Sequence, residues 1–235
     1  MKFHRLFTLV ALTGLCALLI GVCRHMGYAQ PVNKDQALLE AALNLDVQAV
    51  DNLLKQQANP NVINPKSNYP VLIDVCRINL AAQYEDMQEV WQARKKKRDV
   101  IKLLVKAGAR LDVSTGGRYT PLLLLAERSY YPKNYSEEWS MESLFVNPTQ
   151  KPNVNWRAYY DWTALMLAVK VQDYGHVQFL LSKRADPNIV NNNGDTALDL
   201  AYKTPALNGD NVHGNIIQIL QENRAKTGKE LRDRR

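Results

Sequence analysis

Thr163-Ala164-Leu165-Met166-Leu167-Ala168 and Thr196-Ala197-Leu198-Asp199-Leu200-Ala201 are one phrase written twice, 33 residues apart. Thr120-Pro121-Leu122-Leu123-Leu124 opens in the same way. The endings also pair: Ala58-Asn59-Pro60-Asn61 and Ala185-Asp186-Pro187-Asn188. A threonine hydroxyl caps a helix N-terminus, and proline just after it sits where its missing N–H costs nothing. The Pro-Asn endings break a helix and turn the chain. Helix starts and outward turns recurring at a fixed period mark a repeat architecture.

Counting outward from these phrases, Leu38-Leu39-Glu40-Ala41-Ala42 sets earlier starts at Gln36 and Tyr69, again 33 apart. Tyr69 to Thr120 is 51 residues and Thr120 to Thr163 is 43, so five units fit and two carry insertions. Each unit reads as helix, turn, helix and extended turn. The second helices end in Leu53-Leu54, Leu103-Leu104 and Leu180-Leu181. The insertions fall between the two helices of a unit, at 84–98 and 130–139, and should project from one edge.

The period, the Thr-Pro-Leu start and the ending Ala107-Gly108-Ala109-Arg110-Leu111-Asp112 resemble the ankyrin repeat family, over about residues 35–224. The resemblance implies an all-α ankyrin-repeat solenoid of about five helix-turn-helix units with short β-hairpin fingers, each unit packing only on its neighbours. The family's histidine after Thr-Pro-Leu is absent. Leu39, Leu72, Leu123, Met166 and Asp199 stand there, so its polar links should be missing or replaced by apolar contact. Unit three has a weak second helix, Trp139–Val146, near Pro148 and Pro152, which predicts a local stacking defect. Pro205, Gly209 and Gly214 give the last unit the look of a fraying cap. Glu40 stands where other units place Ile73, Leu124, Leu167 and Leu200, as suits a first unit with one face in water.

The chain has 235 residues, 46% apolar and 23% charged, with a net charge of +7. That composition builds a core and excludes a polytopic membrane protein. Lys2 and Arg5 precede an uncharged apolar run, Leu6–Cys23, and Gly27 and Ala29 are small residues two apart. Residues 1–29 therefore read as a signal peptide cleaved after Ala29, or as an uncleaved anchor. Either exports the rest, because amino-terminal positive charge stays in the cytoplasm. A lipoprotein acylated at Cys16 or Cys23 would want a small residue where Leu15 and Val22 stand. Residues 30–225 are the repeat domain, and 226–235 a basic tail that should fray.

Groups for covalent or metal chemistry do not gather. His176 and His213 lie in different units, and Cys76 is the single cysteine beyond the leader, in an apolar run that suits a buried thiol. No phosphate loop or nucleophile elbow occurs. Asp161, Asp186 and Asp195 stand at turn positions, and Gly116-Gly117 reads as a finger turn with positive φ. These residues predict no catalytic site, no cofactor, no metal and no nucleic-acid partner. The run Arg94-Lys95-Lys96-Lys97-Arg98 follows Glu85, Asp86 and Glu89 in a helical extension, where acid first and base last complements the helix dipole. An acidic partner or an anionic membrane surface is the rival account.

Aromatic residues concentrate in the finger segments: Tyr69, Tyr119, Trp156, Tyr159, Tyr160 and Trp162. Tyr and Trp beside Asn and Arg compose a partner-binding patch; the alternative is packing between fingers. The insertion 130–139 holds a second aromatic group, a lid or a self-packed loop. The chain thus reads as an exported protein-binding scaffold, working without covalent chemistry, with the periplasm as its compartment. Its rivals are a periplasmic immunity protein that neutralises a delivered toxin such as a lipase, and a membrane-tethered scaffold that keeps its leader.

Overall fold

The computed structural model describes residues 33–80, 86–127, 140–205 and 211–233. The leader and the 130–139 insertion lie outside them. Helices α1 (Lys34–Leu43) and α2 (Val47–Lys55) form the first hairpin. A two-stranded finger comes next, β1 (Ile63–Asn64) and β2 (Tyr69–Pro70), with Asn64 opposite Tyr69. Unit two is α3 (Val71–Arg77) and α4 (Met87–Lys106). Unit three is α5 (Pro121–Glu127) and a 3₁₀ segment, Ser140–Phe145. Units four and five are α6 (Ala164–Lys170) with α7 (Tyr174–Ser182), and α8 (Ala197–Lys203) with α9 (Val212–Glu222). A short α10 (Gly228–Arg232) closes the chain. This is the helical repeat solenoid that the period implied.

Side-chain chemistry sets the helix ends. Thr163 caps α6 through the Met166 N–H, and Thr196 and Thr227 form capping boxes with Asp199 and Glu230. The second helices begin on Asp46, Asp86 and Asp173, each accepting a first-turn N–H. They end on a left-handed residue: Gln57 (φ 65°), Gly108 (φ 95°), Arg184 (φ 66°) and Arg224 (φ 61°). An alanine follows each one, and Ala58, Ala109 and Ala185 are buried.

The central first helices are sandwiched on two sides, so they are buried almost all round. Every residue of Pro121–Ala126 and of Ala164–Val169 is buried. In α1, by contrast, Leu38, Leu39 and Ala42 are buried while Glu40 faces water, the capping arrangement its sequence suggests. Each fully buried Leu or Met in these rows contributes about 1.5–3 kcal/mol relative to exposure. Leu39, Leu72, Leu123 and Met166 are all buried, so four units replace the missing histidine with apolar contact. The fifth substitutes a carboxylate. Asp199 accepts the Thr196 N–H (2.9 Å) and the Gly228 N–H (2.7 Å), and so ties unit five to the C-terminal helix α10.

Asparagines stitch neighbouring units together. Asn61 donates to the Gly108 carbonyl and accepts the Arg110 N–H; Asn188 donates to the Arg224 carbonyl and accepts the Lys226 N–H. Asn155 accepts the Asp186 N–H. These bonds satisfy backbone groups that a turn would leave open.

Two expectations need correction, and a third holds in part. The weak second helix of unit three is the 3₁₀ segment, on which Met141 and Leu144 are nonetheless fully buried, because their spacing of three places them on one face. Positive φ in the second finger belongs to Arg118 (φ 60°), not to Gly116 or Gly117. The tail does not fray through Asp233. Arg224-Ala225-Lys226 repeats the turn of Arg184-Ala185-Asp186, and Thr227 repeats the cap of Thr196, so α10 stands where the first helix of another unit would stand. Gly228 is buried there, so close to unit five that a Cβ on it would collide with the Gly194 carbonyl oxygen.

Candidate functional site

Four fingers project in a row, the first closed by a five-residue turn and the other three by four-residue turns. The closing backbone bonds are Asn68 N–H to Asn64 O, Arg118 N–H to Thr115 O, Asp161 N–H to Ala158 O and Gly194 N–H to Asn191 O. The donor is left-handed each time, with φ of 60°, 60°, 58° and 78°. Only the last is glycine, so the other three turns carry backbone strain. Asp161 and Asp195 stand in the finger turns through their backbone groups, with their carboxylates on Arg157 and Lys203, and Asp186 makes an Asx turn with the Asn188 N–H.

Adjacent fingers bond to one another. The Gly116 N–H donates to the Tyr69 hydroxyl (3.2 Å), the Tyr159 N–H to the Gly117 carbonyl (3.1 Å), and the Asn192 N–H to the Tyr160 carbonyl (3.1 Å). The row is therefore a preorganised surface rather than four independent loops.

The six aromatic candidates divide into two groups. Tyr69, Tyr119, Trp156 and Trp162 are half-buried and pack against the core. The Trp156 indole N–H donates to the Arg118 carbonyl (2.9 Å), fixing one finger on the next. Burial, and then the negative charge of Glu127, pushes the Tyr119 phenol pKa up. Tyr159 and Tyr160 point outward, 57% and 62% exposed, with rings edge-to-face at 4.3 Å. Tyr160 and Asp161 are consecutive left-handed residues, at φ 58° each. Two such non-glycine residues in sequence cost about 1–3 kcal/mol each and persist only where surrounding contacts hold them.

The sequence reading missed the cations. Arg77 lies over the Tyr69 ring (5.6 Å), Arg118 over Trp156 (5.8 Å) and Lys170 over Trp162 (5.1 Å). Lys203 pairs with Asp195 (2.6 Å), and Arg157 with Asp161 (3.2 Å). Glu127, Lys170 and Lys203 each stand seven residues after the unit's threonine. Helix side chains lean toward the N-terminus, so residues at this place reach back over the inner helix to the finger before it. Reading that position down the units would have found them.

Elsewhere, the basic run resolves into separate roles. Lys97 is buried, and its ammonium donates to the Cys76 and Ile78 carbonyls (3.0 Å each), capping the end of α3. Arg98 pairs with Asp99 (3.1 Å). Lys95, Lys96, Lys102 and Lys106 are exposed on the outer helix. Cys76 is buried, and His176 packs inside α7 with its Nδ1 on Asp173 (2.8 Å). Among the described residues no three His, Cys, Asp or Glu side chains converge, and no helix is long and apolar enough to cross a membrane.

Residues 149–201 match the family model described as ankyrin repeats in many copies. Over 94% of its length the chain is similar to the mitochondrial disaggregase of Homo sapiens, at 26% identity across 246 residues. The protein of the same description from Bos taurus is likewise 26% identical, across 226 residues. The chain spans about a third of the length of these relatives, 31% and 28%. The match agrees with the repeat phrases and the stacked hairpins and fingers: residues 149–201 are ankyrin repeats, and the described units before and after them are built alike.

Proposed function

We propose that the chain is a non-enzymatic protein-binding scaffold that acts by occupancy through its fingers and inner helices. Ankyrin repeats in general mediate protein–protein interaction. The observation that carries the reading is the Tyr159–Tyr160 pair. Its two rings are exposed on a finger that is bonded to both neighbours and strained at two consecutive residues. Large, stiff aromatic groups held away from the core are what anchors a protein interface, each worth about 2 kcal/mol or more. The leader, with Lys2 and Arg5 ahead of Leu6–Cys23, supports export to a compartment such as the periplasm. An immunity role against a delivered toxin is the narrower form of this reading, decided by what the partner is.

The test compares partner recovery from the native compartment by wild type and by Tyr159→Ala/Tyr160→Ala. Both side chains are exposed, so the variant keeps its fold and loses the partner. Unchanged recovery by the folded variant refutes the finger surface as the binding face.

A further inference from the structure

Charge on the finger and inner-helix face is layered. Its outermost groups are Lys66, Arg77, Arg118, Arg157, Lys170 and Lys203, all exposed. Glu127 is an exposed carboxylate among them, in unit three, and Glu40 is another in the first unit. Three other acids of the face are half-buried and engaged. Asp74 accepts from Asn64 and Ser67, Asp161 faces Arg157, and Asp195 faces Lys203. Carboxylates thus serve the fold from beneath while cations look out. Three of those cations rest on aromatic faces, which orients them and lowers the entropy lost on binding.

We infer that the partner presents an acidic protein segment to this face, laid along the stack; the inference rests on the finger-surface reading above. The last residue of the first helix reads Arg77, Glu127, Lys170 and Lys203 through units two to five. A complementary segment places carboxylates against units two, four and five, and a cation or hydrogen-bond donor against unit three. Like-charge juxtaposition at Glu127 rejects a uniformly acidic segment in part, so that residue sets register.

The probe is short poly-L-glutamate, titrated against the full-length chain at low and high salt, with tryptophan fluorescence as the readout. Lys170→Glu/Lys203→Glu reverses the inner-helix cations, and Lys102→Glu/Lys106→Glu makes the same net-charge change on the outer helix. The first pair weakens binding about tenfold or more and the second less than about twofold, because proximity rather than net charge decides. Lys170→Gln/Lys203→Gln gives an intermediate loss and covers the case in which reversal disturbs the fold. Glu127→Lys tightens binding. No binding by wild type at low salt overturns the inference, as do equal losses in the two reversed pairs. Tighter binding of a single-stranded DNA of equal charge, dependent on the same lysines, overturns the assignment to a protein segment. If these tests fail while Tyr159→Ala/Tyr160→Ala still abolishes partner recovery, the acidic-segment inference falls and the scaffold reading stands.

Discussion

Replacing Gly228 by alanine should unlatch the C-terminal end of the stack. A Cβ at this position falls well inside van der Waals contact distance of the Gly194 carbonyl oxygen, which is backbone and cannot swing aside. The segment must lift from unit five. Lifting stretches the bond from the Gly228 N–H to the Asp199 carboxylate (2.7 Å), a charge-assisted bond worth about 1.5–3 kcal/mol. It also loosens the Thr196 hydroxyl on the Lys226 carbonyl (2.7 Å) and the Lys226 N–H on Asn188 (2.8 Å), about 1 kcal/mol each. Partial relaxation keeps some of this, so a local loss of about 2–4 kcal/mol is expected. In a solenoid, a terminal unit opens without unfolding the rest. Native-state hydrogen exchange should therefore show the amides of 226–231 exchanging about 30- to 900-fold faster, with little change in α5 and α6. Gly214→Ala is the internal control. Nothing lies within 4 Å of its added methyl group, and it sits in α9. It should stabilise by about 0.5–1 kcal/mol. Unchanged exchange at 226–231 in Gly228→Ala would refute the latch.

The same contacts set three further outcomes. Burial pushes the Asp199 carboxyl up, but hydrogen bonds from Thr196 and Gly228, with Lys203 nearby, outweigh it and hold the pKa below the ordinary 3.8. Its stabilisation is present above that ordinary value and fades as pH falls through the lowered folded value, so exchange at 226–231 should rise in acid in wild type and respond less in Asp199→Asn. Lys97→Met should cost about 1–3 kcal/mol in urea denaturation, because it leaves the Cys76 and Ile78 carbonyls without their ammonium donor, while Lys96→Met on the exposed surface should stay within about 0.5 kcal/mol. Tyr159→Ala/Tyr160→Ala should leave the denaturation midpoint within the change expected of surface substitutions, about 0.5 kcal/mol, whereas Trp156→Ala should lower it, having lost the bond to the Arg118 carbonyl and its packing.

The repeat was legible because its punctuation is chemical. Threonine caps and Pro-Asn turns are local devices, and they recur at 33 residues whether or not neighbouring side chains agree. The end of the chain was harder to read. Arg224-Ala225-Lys226-Thr227 carries no Pro-Asn and no Thr-Pro-Leu, and its basic composition resembles a solvated tail. What reveals it is backbone geometry: Arg224 takes the left-handed turn of Arg184, and Asn188 reaches across to bond it. The glycines misled for a related reason. Contacts between fingers hold Arg118, Tyr160 and Asp161 left-handed, so local preference for glycine at the turn was overridden. Of the aromatic candidates, composition alone could not separate braces from anchors. Trp156 and Trp162 differ from Tyr159 and Tyr160 in which way the finger turns, a property of stacking rather than of residue type.

The most direct measurement is hydrogen exchange across the full-length chain, with and without the partner recovered from its native compartment. The account predicts slowed exchange in 115–119, 155–162 and 191–195, with the outer helix α4 unchanged. Slowing confined to α4, or spread evenly over the outer helices while the fingers exchange as before, would contradict it.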